Sequence, residues 1–466
     1  MDESILMFFS SEACNLFFLC FLRRHKQNLR GRHKARKAKI EFPPSQVAWL
    51  LDSLLFSSSS PSILHSFIHR LPPPPYIKNL TAAYQTVKTE ESAGEARIRG
   101  LSIIKPVKMV IRTVDLRSDT VTLPTKTMRA AMAGAEVDDD VLGFDPTASC
   151  LEAEMAKITG KEAALFVPSG TMGNLISVLV HCDVRGSEAI LGDKCHIHLY
   201  ENGGIATIGG VHPRPVKNNE DGTMDIGLVE AAIRDPQGEQ FYPTTRLICL
   251  ENTHANSGGK CLSVEYTDRV GELAKKYGLK LHIDGARIFN AETALGVPVG
   301  RLVRAADSAS VCLSKGLGAP VGSVIVGSAR FIAKARVLRK TLGGGMRQIG
   351  ILCAAGLIAL QENVGKLEQD HRKAKALAEG IAQIKGLKID VASVETNIMY
   401  FDIEEGSNMT ALKLRKKLEE HGILIMFENS SRVRLVMHHQ ISEGDVQYTI
   451  SCLKNAMAGL PEENGI

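Results

Sequence analysis

The amino-acid sequence predicts an α/β protein with a large domain built on a mainly parallel β-sheet and a smaller α+β domain at the C-terminal end. Short apolar runs of strand length alternate with helical stretches from residue 111 onward. Strands that alternate with helices form parallel sheets covered on both faces. Near residue 364 the order changes to helix, two strands, helix, two strands and helix. We therefore place the large domain at residues 109–363 and the small domain at residues 364–460.

The predicted strands of the large domain are short apolar runs bounded by turn residues or helices. They are Ala163–Val167, Ala189–Leu191, Arg246–Leu250, Lys280–Ile283, Ala309–Leu313 and Ser323–Val326. Ser169-Gly170-Thr171 follows the first strand and begins a helix whose apolar side chains share one face. A further helix is predicted from Thr267 to Tyr277, where Gly278 ends it.

The small domain is predicted from alternating helical and strand-like patterns that end at glycines. Its elements are a charged helix from Lys366 to Lys385, strands at Leu387–Val391 and Ile398–Ile403, a helix with Ala411, Leu414 and Leu418 on one side, strands at Ile423–Phe427 and Arg432–Met437, and a final helix capped by Ser442 and Asp445.

Composition narrows the class of protein. The 466 residues are 44% hydrophobic and 23% charged, which excludes disorder throughout, a collagen repeat and a polytopic membrane protein. Ten cysteines without a C-x-x-C pair or a dense cluster fit neither a disulfide framework nor a zinc module. We expect reduced thiols, a cytoplasmic location and no bound metal.

Residues 1–108 form a basic leader that differs from the rest of the chain. They hold 16 Lys+Arg and 8 Asp+Glu, a net charge of +8, so residues 109–466 carry 5 − 8 = −3. That balance predicts no nucleic-acid partner and no stable membrane partner. The basic tract follows the apolar run at Ile5–Leu22, the wrong order for a cleavable signal peptide. We expect a leader that is disordered or absent from a working protein starting near Met109; the alternative is organelle or membrane targeting.

Three segments carry candidate chemistry. Ser169 to Asn174 joins a strand to a helix, where backbone N–H groups favour an anion, although such small residues often only make the turn. Asp284 ends one apolar strand and Lys315 follows another, so both belong at the carboxyl edge of the sheet. Alone, Asp284 could be a capping carboxylate and Lys315 a solvated loop residue. Together, an anion cradle, a carboxylate and a lysine fit one cofactor, pyridoxal 5'-phosphate, which needs a phosphate site, a protonated ring nitrogen and a Schiff-base lysine.

The sequence also resembles a known family, the threonine aldolases, in detail the plant members, which are fold-type I pyridoxal-phosphate enzymes. The resemblance covers about Val110 to Met457. It rests on four motifs: Asp115-Leu116-Arg117-Ser118-Asp119-Thr120-Val121-Thr122, Asp138-Asp139-Asp140-Val141-Leu142-Gly143, Leu250-Glu251-Asn252-Thr253-His254 and Gly343-Gly344-Gly345-Met346-Arg347-Gln348. The resemblance implies a lyase that cleaves L-threonine or L-allo-threonine to glycine and acetaldehyde, in threonine catabolism and glycine formation.

The resemblance also implies a role for each site residue. Lys315 would form the Schiff base, Asp284 would face the ring nitrogen, and His196 would stack on the ring in preference to His198. The remaining implied roles are a phosphate site at Ser169, Gly170 and Thr171, contact of Arg287 with the phenolic oxygen, contact of Arg347 with a neighbouring subunit's cofactor, and a substrate-carboxylate site at Ser118 and Arg434.

Several alternatives stay open from the sequence. The base that removes the β-hydroxyl proton is His196, His254 or a water. His254 either contacts the substrate hydroxyl or only orders its loop. Asp138 to Asp140 form a metal cluster or, more commonly for neighbouring acids, a solvated or capping loop. Hydroxymethyl transfer, transamination and β-elimination use the same cofactor on this fold. A homodimer or a homotetramer would both provide shared sites, and the accepted β-configuration is undetermined.

Overall fold

The structure is a computed structural model that describes residues 113–234 and 240–458. The predicted leader and Met109 lie outside the described residues. Within them, no helix is both long enough and apolar enough to cross a membrane.

The described residues form thirteen strands and fourteen α-helices. The strands are β1 (Val114–Asp115), β2 (Ala163–Val167), β3 (Ser187–Gly192), β4 (His212–Val216), β5 (Thr244–Glu251), β6 (Lys280–Asp284), β7 (Ser308–Cys312), β8 (Ser323–Gly327), β9 (Leu387–Lys388), β10 (Ile398–Ile403), β11 (Ile423–Leu424), β12 (Met426–Phe427) and β13 (Arg432–Val436). The helices are α1 (Lys126–Ala133), α2 (Pro146–Thr159), α3 (Gly170–His181), α4 (His196–Leu199), α5 (Gly204–Thr207), α6 (Ile226–Ala232), α7 (Val264–Lys276), α8 (Ile288–Leu295), α9 (Val299–Leu302), α10 (Ala329–Thr341), α11 (Gly350–Glu362), α12 (Leu367–Ala382), α13 (Ala411–Glu420) and α14 (Glu443–Ala458).

The large sheet has seven strands in the order β2-β8-β7-β6-β5-β3-β4. Four neighbouring pairs are parallel, and β8 runs antiparallel to both β7 and β2. The prediction of a mainly parallel sheet is confirmed, and all six predicted strands are present to within two residues. The sequence analysis missed β4, whose Pro213 and Pro215 argue against a strand. It lies at the edge of the sheet, where a residue without an N–H is tolerated.

Both faces of this sheet are covered. On β2, Ala164 and Phe166 enter one hydrophobic core, while Leu165 and Val167 enter another on the opposite face. Successive side chains of a strand point to opposite faces, so a strand buried on both sides reads as a continuous apolar run. That is the pattern from which the strand was predicted.

The C-terminal region contains a four-stranded antiparallel sheet in the order β12-β13-β10-β9. The prediction of one strand at Ile423–Phe427 is wrong, because this run divides between two sheets: β11 pairs in parallel with β1, and β12 pairs with β13. The strand predicted at Leu387–Val391 ends early at Lys388. Asp390 accepts a hydrogen bond from the Ala392 N–H and turns the chain into a short 3-10 helix.

The final helix, α14, begins with the predicted cap. The Asp445 N–H donates to Ser442 Oγ at 3.1 Å, and the Ser442 N–H donates to Asp445 Oδ2 at 2.8 Å. This reciprocal pair is a capping box.

The division into domains at residues 109–363 and 364–460 stays a prediction. Val114 and Leu116, from the start of the described chain, pack into the C-terminal core.

Candidate active site

The candidate site lies at the carboxyl ends of the central strands. Asp284 is the last residue of β6 and is almost fully buried. Its Oδ2 accepts a hydrogen bond from Asn174 Nδ2 at 2.9 Å, and its Oδ1 accepts one from the Ala286 N–H at 3.1 Å. A buried carboxylate that receives two donors is held in one orientation. Asp284 thus lies at the carboxyl end of a central strand, which is the position expected from the sequence.

His196 and Glu201 form a second polar pair beside Asp284. His196 Nδ1 and Glu201 Oε1 are 2.9 Å apart, and the same oxygen accepts a hydrogen bond from Asn174 Nδ2 at 2.8 Å. Burial lowers the pKa of His196, but the hydrogen bond to Glu201 and the charge of Asp284 together raise the pKa by more than burial lowers it. The pKa of His196 is therefore above its ordinary value, and its ring is anchored through Nδ1.

Glu251, the last residue of β5, connects two loops of the site. Its Oε2 accepts a hydrogen bond from the His196 N–H at 2.7 Å, and its Oε1 accepts one from the Ala255 N–H at 2.9 Å. One carboxylate thus binds the start of the segment that carries His196 and the loop that carries His254. The sequence analysis assigned no role to Glu251, although it belongs to the quoted Leu250 to His254 motif.

Lys315 follows β7, the neighbour of β6 in the sheet. Its side chain is half-buried, and its amine has no hydrogen bond or ion pair with the described residues. The charge of Lys315 lowers the pKa of both Asp119 and His196. Lys315 is therefore electrostatically close to two side chains from other segments of the site, and its amine is free to react.

The start of α3 has the features of an anion site. Ser169 Oγ accepts a hydrogen bond from the Met172 N–H at 3.2 Å, whereas the N–H groups of Gly170 and Thr171 have no acceptor in the described chain. A Cβ at Gly170 would lie 2.7 Å from Cys312 Sγ, so glycine lets the helix start approach the end of β7. Unpaired N–H groups at the start of a helix suit a phosphate group.

Arg287 is already paired, with a residue to which the sequence analysis gave no role. Its Nε and Nη2 each donate to a carboxylate oxygen of Asp119 at 2.7 Å, and both side chains are buried. Asn397 Nδ2 donates to the same carboxylate at 3.1 Å. Burial raises the pKa of Asp119, but the charge of Arg287, its hydrogen bonds and the charge of Lys315 lower the pKa to about 2. Nη1 is the Arg287 nitrogen left without a partner among these residues.

Arg434, on β13, differs from Arg287 because no described carboxylate pairs with it. Its Nη1 donates to the Arg117 carbonyl at 3.4 Å, a long hydrogen bond. Burial and the nearby charge of Arg287 lower the pKa of Arg434. Ser118 caps the short 3-10 helix at Asp119–Val121 and accepts hydrogen bonds from the backbone and hydroxyl of Thr120. An unpaired, half-buried guanidinium near a hydroxyl group fits a carboxylate ligand.

His254 is buried, and both of its ring nitrogens lack a partner in the described residues. The backbone N–H of His254 donates to the Lys260 carbonyl at 2.8 Å. Gly222 packs against the ring with a φ of +82°, and a Cβ there would lie 2.6 Å from the Cβ of His254. Buried polar atoms are normally paired, so the bare imidazole indicates room for a ligand or a water.

The acidic loop behaves as capping and ion-pairing carboxylates. Asp138 accepts a hydrogen bond from the Asp139 N–H, Asp139 pairs with Arg347 at 2.7 Å, and Asp140 pairs with Arg339 at 2.5 Å. Asp138 and Asp139 fit the expectation of a capping loop, whereas Asp140 is buried against Arg339 and is not solvated. Arg347 is more than half exposed, and its side chain makes no hydrogen bond to the residues around Asp284.

Three potential metal ligands, on His196, Glu201 and Asp284, have atoms within 4.8 Å of one another. Asn174 donates to both carboxylates, so the cluster is joined by hydrogen bonds. Together with the free amine of Lys315 and the free N–H groups of α3, this donor set fits pyridoxal phosphate: it offers an amine, an anion site and a buried carboxylate. Asn174, Glu201 and Asp119 were missed as site residues. The detectable signal was their polarity: Asn174 lies in the Ser169 to Asn174 segment, Asp119 lies in the Asp115 to Thr122 motif, and Glu201 is five residues from His196.

The comparisons with known proteins agree with this geometry. The model of the beta-eliminating lyase family matches residues 115–405. The chain is 72% identical to low-specificity L-threonine aldolase 1 of Arabidopsis thaliana over 354 residues, which cover 76% of this chain and 99% of that protein. It is 43% identical to the low specificity L-threonine aldolase of Escherichia coli strain K12 over 329 residues, 71% of this chain and 95% of that one.

Solved structures match the fold at lower identity. A threonine aldolase from Leishmania major has a TM-score of 0.61 and 19% identity and covers 74% of this chain and 99% of its own. A serine palmitoyltransferase from Sphingomonas wittichii has a TM-score of 0.60 and 16% identity and covers 84% of this chain and all of its own. The architecture is that of the fold-type I pyridoxal-phosphate enzymes.

Proposed function

The chain belongs to the low-specificity L-threonine aldolase family, and on that premise we propose how its residues divide the work of the reaction. It is a pyridoxal-phosphate-dependent aldehyde-lyase that cleaves threonine or allo-threonine to glycine and acetaldehyde by a retro-aldol reaction. The observation that supports the residue assignments is that a free lysine amine, a buried doubly hydrogen-bonded carboxylate and an arginine without a carboxylate partner act on shared neighbours. The charges of Lys315 and Asp284 both shift the pKa of His196, and Asp119 interacts electrostatically with both Lys315 and Arg434.

Bound pyridoxal phosphate supplies an electron sink for the pair released when the Cα–Cβ bond breaks. Asp284 would hold a proton at the cofactor's ring nitrogen, because a buried carboxylate beside that nitrogen favours the protonated form of the ring. The N–H groups of Gly170 and Thr171, with Ser169, would bind the phosphate. Lys315 would provide the amine that holds the cofactor, and His196, whose orientation is fixed by Glu201, would stack on the ring.

Arg434 and Ser118 bind the substrate carboxylate. Arg287 serves this purpose poorly, because Asp119 already occupies two of its nitrogens. Its remaining Nη1 is available for the phenolic oxygen of the cofactor. By fixing the carboxylate, Arg434 and Ser118 would determine which bond at Cα is aligned with the electron sink of the cofactor, and so which bond breaks.

His254 accepts the proton of the β-hydroxyl. Its two ring nitrogens have no partner in the described chain, whereas Nδ1 of His196 is held by Glu201. A general base must have a free nitrogen within reach of the proton that it removes. Glu251 holds the loop that carries His254 through the Ala255 N–H.

The test is an incubation of the purified protein and added cofactor with each of the four threonine stereoisomers. We expect acetaldehyde and glycine in equal amounts from L-threonine, L-allo-threonine or both, without folate or a keto acid. A requirement for folate would indicate hydroxymethyl transfer, a requirement for a keto acid would indicate transamination, and ammonia release would indicate β-elimination. Any of these three results would contradict the aldolase assignment.

The substrate is a small amino acid, and we propose that a second copy of the chain completes its site. Arg347 is exposed and oriented by Asp139, and it would reach the neighbour's cofactor phosphate. Leu142 and Phe144, in the same loop as Asp139, are 64% and 65% exposed. Exposed apolar side chains of this kind support burial against another subunit. A homodimer and a homotetramer both satisfy this geometry.

Mixing inactive subunits tests the shared site. Lys315→Ala and Arg347→Ala proteins, each nearly inactive alone, should regain part of the wild-type activity when their subunits exchange, because one hybrid site then contains both residues. A mixture of Lys315→Ala with Asp284→Asn is the control, since these two residues belong to the same subunit's site in this arrangement. No recovery from subunits shown to exchange would contradict the proposal.

A cytoplasmic location and reduced thiols stay predictions.

A further inference from the structure

Asn174 lies between the two carboxylates of the site. Its Nδ2 donates to Asp284 Oδ2 at 2.9 Å and to Glu201 Oε1 at 2.8 Å, and the side chain is 1% exposed. Only a nitrogen with two hydrogens satisfies two carboxylates at once, since the amide oxygen would meet both of them as an acceptor. The two carboxylates therefore determine which way the amide faces, and Oδ1 must point away from them.

A chain of polar side chains fixes the other end of the amide. Asn174 Oδ1 is 3.1 Å from His282 Nε2, and His282 Nδ1 is 2.9 Å from Ser308 Oγ. Ser308 Oγ is in turn 2.7 Å from His181 Nε2. Because Oδ1 accepts, Nε2 of His282 must carry the hydrogen, so Nδ1 accepts from the Ser308 hydroxyl and His181 Nε2 donates to Ser308.

The protonation of these histidines is consistent with that order. Burial lowers the pKa of His282 to about 4 and that of His181 to about 3. Both rings are therefore neutral near pH 7, and a neutral ring carries one N–H and one acceptor nitrogen. Every donor in the chain then points toward Asp284 and Glu201, and each hydrogen bond polarises the next.

We propose that Asn174, oriented by His282, is a positioning residue that holds the Asp284 and Glu201 carboxylates, and through Glu201 the ring of His196, in one fixed arrangement. This inference rests on the proposed function, in which Asp284 faces the ring nitrogen of the cofactor and His196 stacks on the ring. Asn174 acts through these side chains and does not contact the cofactor. Its loss would leave two buried carboxylates without their shared donor and free to change orientation.

The experiment compares two alanine substitutions in the same helix. Asn174→Ala removes the shared donor, whereas Ser177→Ala removes a buried hydroxyl that donates only to the Gly173 carbonyl at 2.8 Å. The measurements are the dissociation constant of pyridoxal phosphate from the apoprotein and the visible circular dichroism of the bound cofactor, which reports the asymmetry of its surroundings. We expect Asn174→Ala to weaken cofactor binding about 10- to 100-fold, the range for a hydrogen bond to a charged group, and to reduce the dichroic band. Ser177→Ala should change neither.

A second pair of variants is measured irrespective of the first result. His282→Gln keeps an N–H donor for Asn174 Oδ1, whereas His282→Leu removes it. We expect Gln to retain the dichroic band and Leu to lose it, although both change a buried ring. Equal loss in the two His282 variants, or an Asn174→Ala protein that behaves as Ser177→Ala does, would overturn the positioning role.

The wild-type protein separates this inference from the function on which it rests. If the wild type fails to bind the cofactor or to cleave threonine, the proposed function is wrong. If the wild type does both and the variants do not differ from their controls, only the role of Asn174 is wrong.

Discussion

At the scale of the residue, the buried Arg287 and the half-buried Arg434 have opposite surroundings. Arg287 is neutralised by Asp119 at 2.7 Å, whereas Arg434 has only the Arg117 carbonyl at 3.4 Å. A buried charge without a partner is costly, and a ligand carboxylate would relieve that cost on binding. We therefore expect selectivity for an amino-acid substrate to depend on Arg434, which has no carboxylate partner, and not on Arg287, which is paired with Asp119.

Asp284→Asn tests the role of the buried carboxylate. An amide binds the cofactor in the same space but cannot hold a proton on the ring nitrogen, so we expect kcat to fall about 10²- to 10³-fold, the cost of losing one electrostatic contact to the developing charge. Cofactor should remain bound. Asp268→Asn, at a distant pair with Arg301, is the control and should keep full activity. Near-normal turnover of Asp284→Asn would contradict the electron-sink role.

At the scale of the element, the site depends on where neighbouring strands end. β6 and β7 are parallel neighbours, so Asp284 and the segment after Cys312 reach the same edge of the sheet. β8 then returns antiparallel to β7 through a turn that contains Gly322. Gly322 has a φ of +108°, and a Cβ there would lie 2.3 Å from the ring of Phe166. Both the backbone conformation and the space exclude other residues at this turn.

Gly322→Ala is expected to be more destabilising than a matched glycine substitution. Gly343→Ala places a Cβ at a φ of +83° with no atom within 4 Å, so it bears only the backbone cost of about 1–2 kcal/mol. Gly322→Ala adds the clash with Phe166, and overpacking costs about 1–3 kcal/mol more. Denaturant unfolding of the two variants measures the difference. Equal unfolding free energies would show that the turn relaxes without cost.

The elements that sequence could predict are those with a local pattern. β2 and β10 match their predictions residue for residue, because both have strong apolar patterns bounded by turns. The separation of β11 from β12 could not be read locally, since Ile423 to Phe427 is apolar throughout and the choice of partner strand depends on β1 and β13. β4 was missed because its prolines conceal an edge strand.

At the scale of the whole molecule, the site is assembled by contacts between distant segments. Arg287 and Asp119 are 168 positions apart, and Asn174 and Asp284 are 110 apart. Strand ends predicted the place of Asp284 and Lys315 at the sheet edge. Nothing local to Asp119, Asn174 or Glu251 indicates its partner, because hydrogen bonds between folded segments leave no periodic pattern in the sequence.

Buried neutral histidines also make the stability of the molecule depend on pH. His282 is fully buried, and burial lowers its pKa to about 4. In the unfolded chain histidine binds its proton near pH 6.5. Between these values the unfolded state binds more protons, so the unfolding free energy falls as the pH is lowered from about 6.5 to about 4. This pH dependence is absent above pH 7, because His282 is neutral in both the folded and the unfolded chain.

His282→Gln should reduce that dependence. We expect the wild type to lose about 2 kcal/mol of unfolding free energy from this one group between pH 7 and pH 5, and the variant to lose correspondingly less. His421→Gln, at an exposed position, is the control and should follow the wild type. Denaturant titrations at the two pH values measure the slopes. A His282→Gln protein with the wild-type slope would show that folding does not lower the pKa of His282.

The proposed covalent attachment of the cofactor to Lys315 can be tested directly. Borohydride reduction of the protein with bound pyridoxal phosphate makes the bond to the lysine permanent, and mass spectrometry of the digested chain then identifies the modified peptide. We expect the cofactor mass on the peptide that contains Lys315 and on no other, and an unmodified digest from Lys315→Ala treated in the same way. Modification of a different lysine in the wild type, or equal modification of the variant, would contradict the assignment of Lys315.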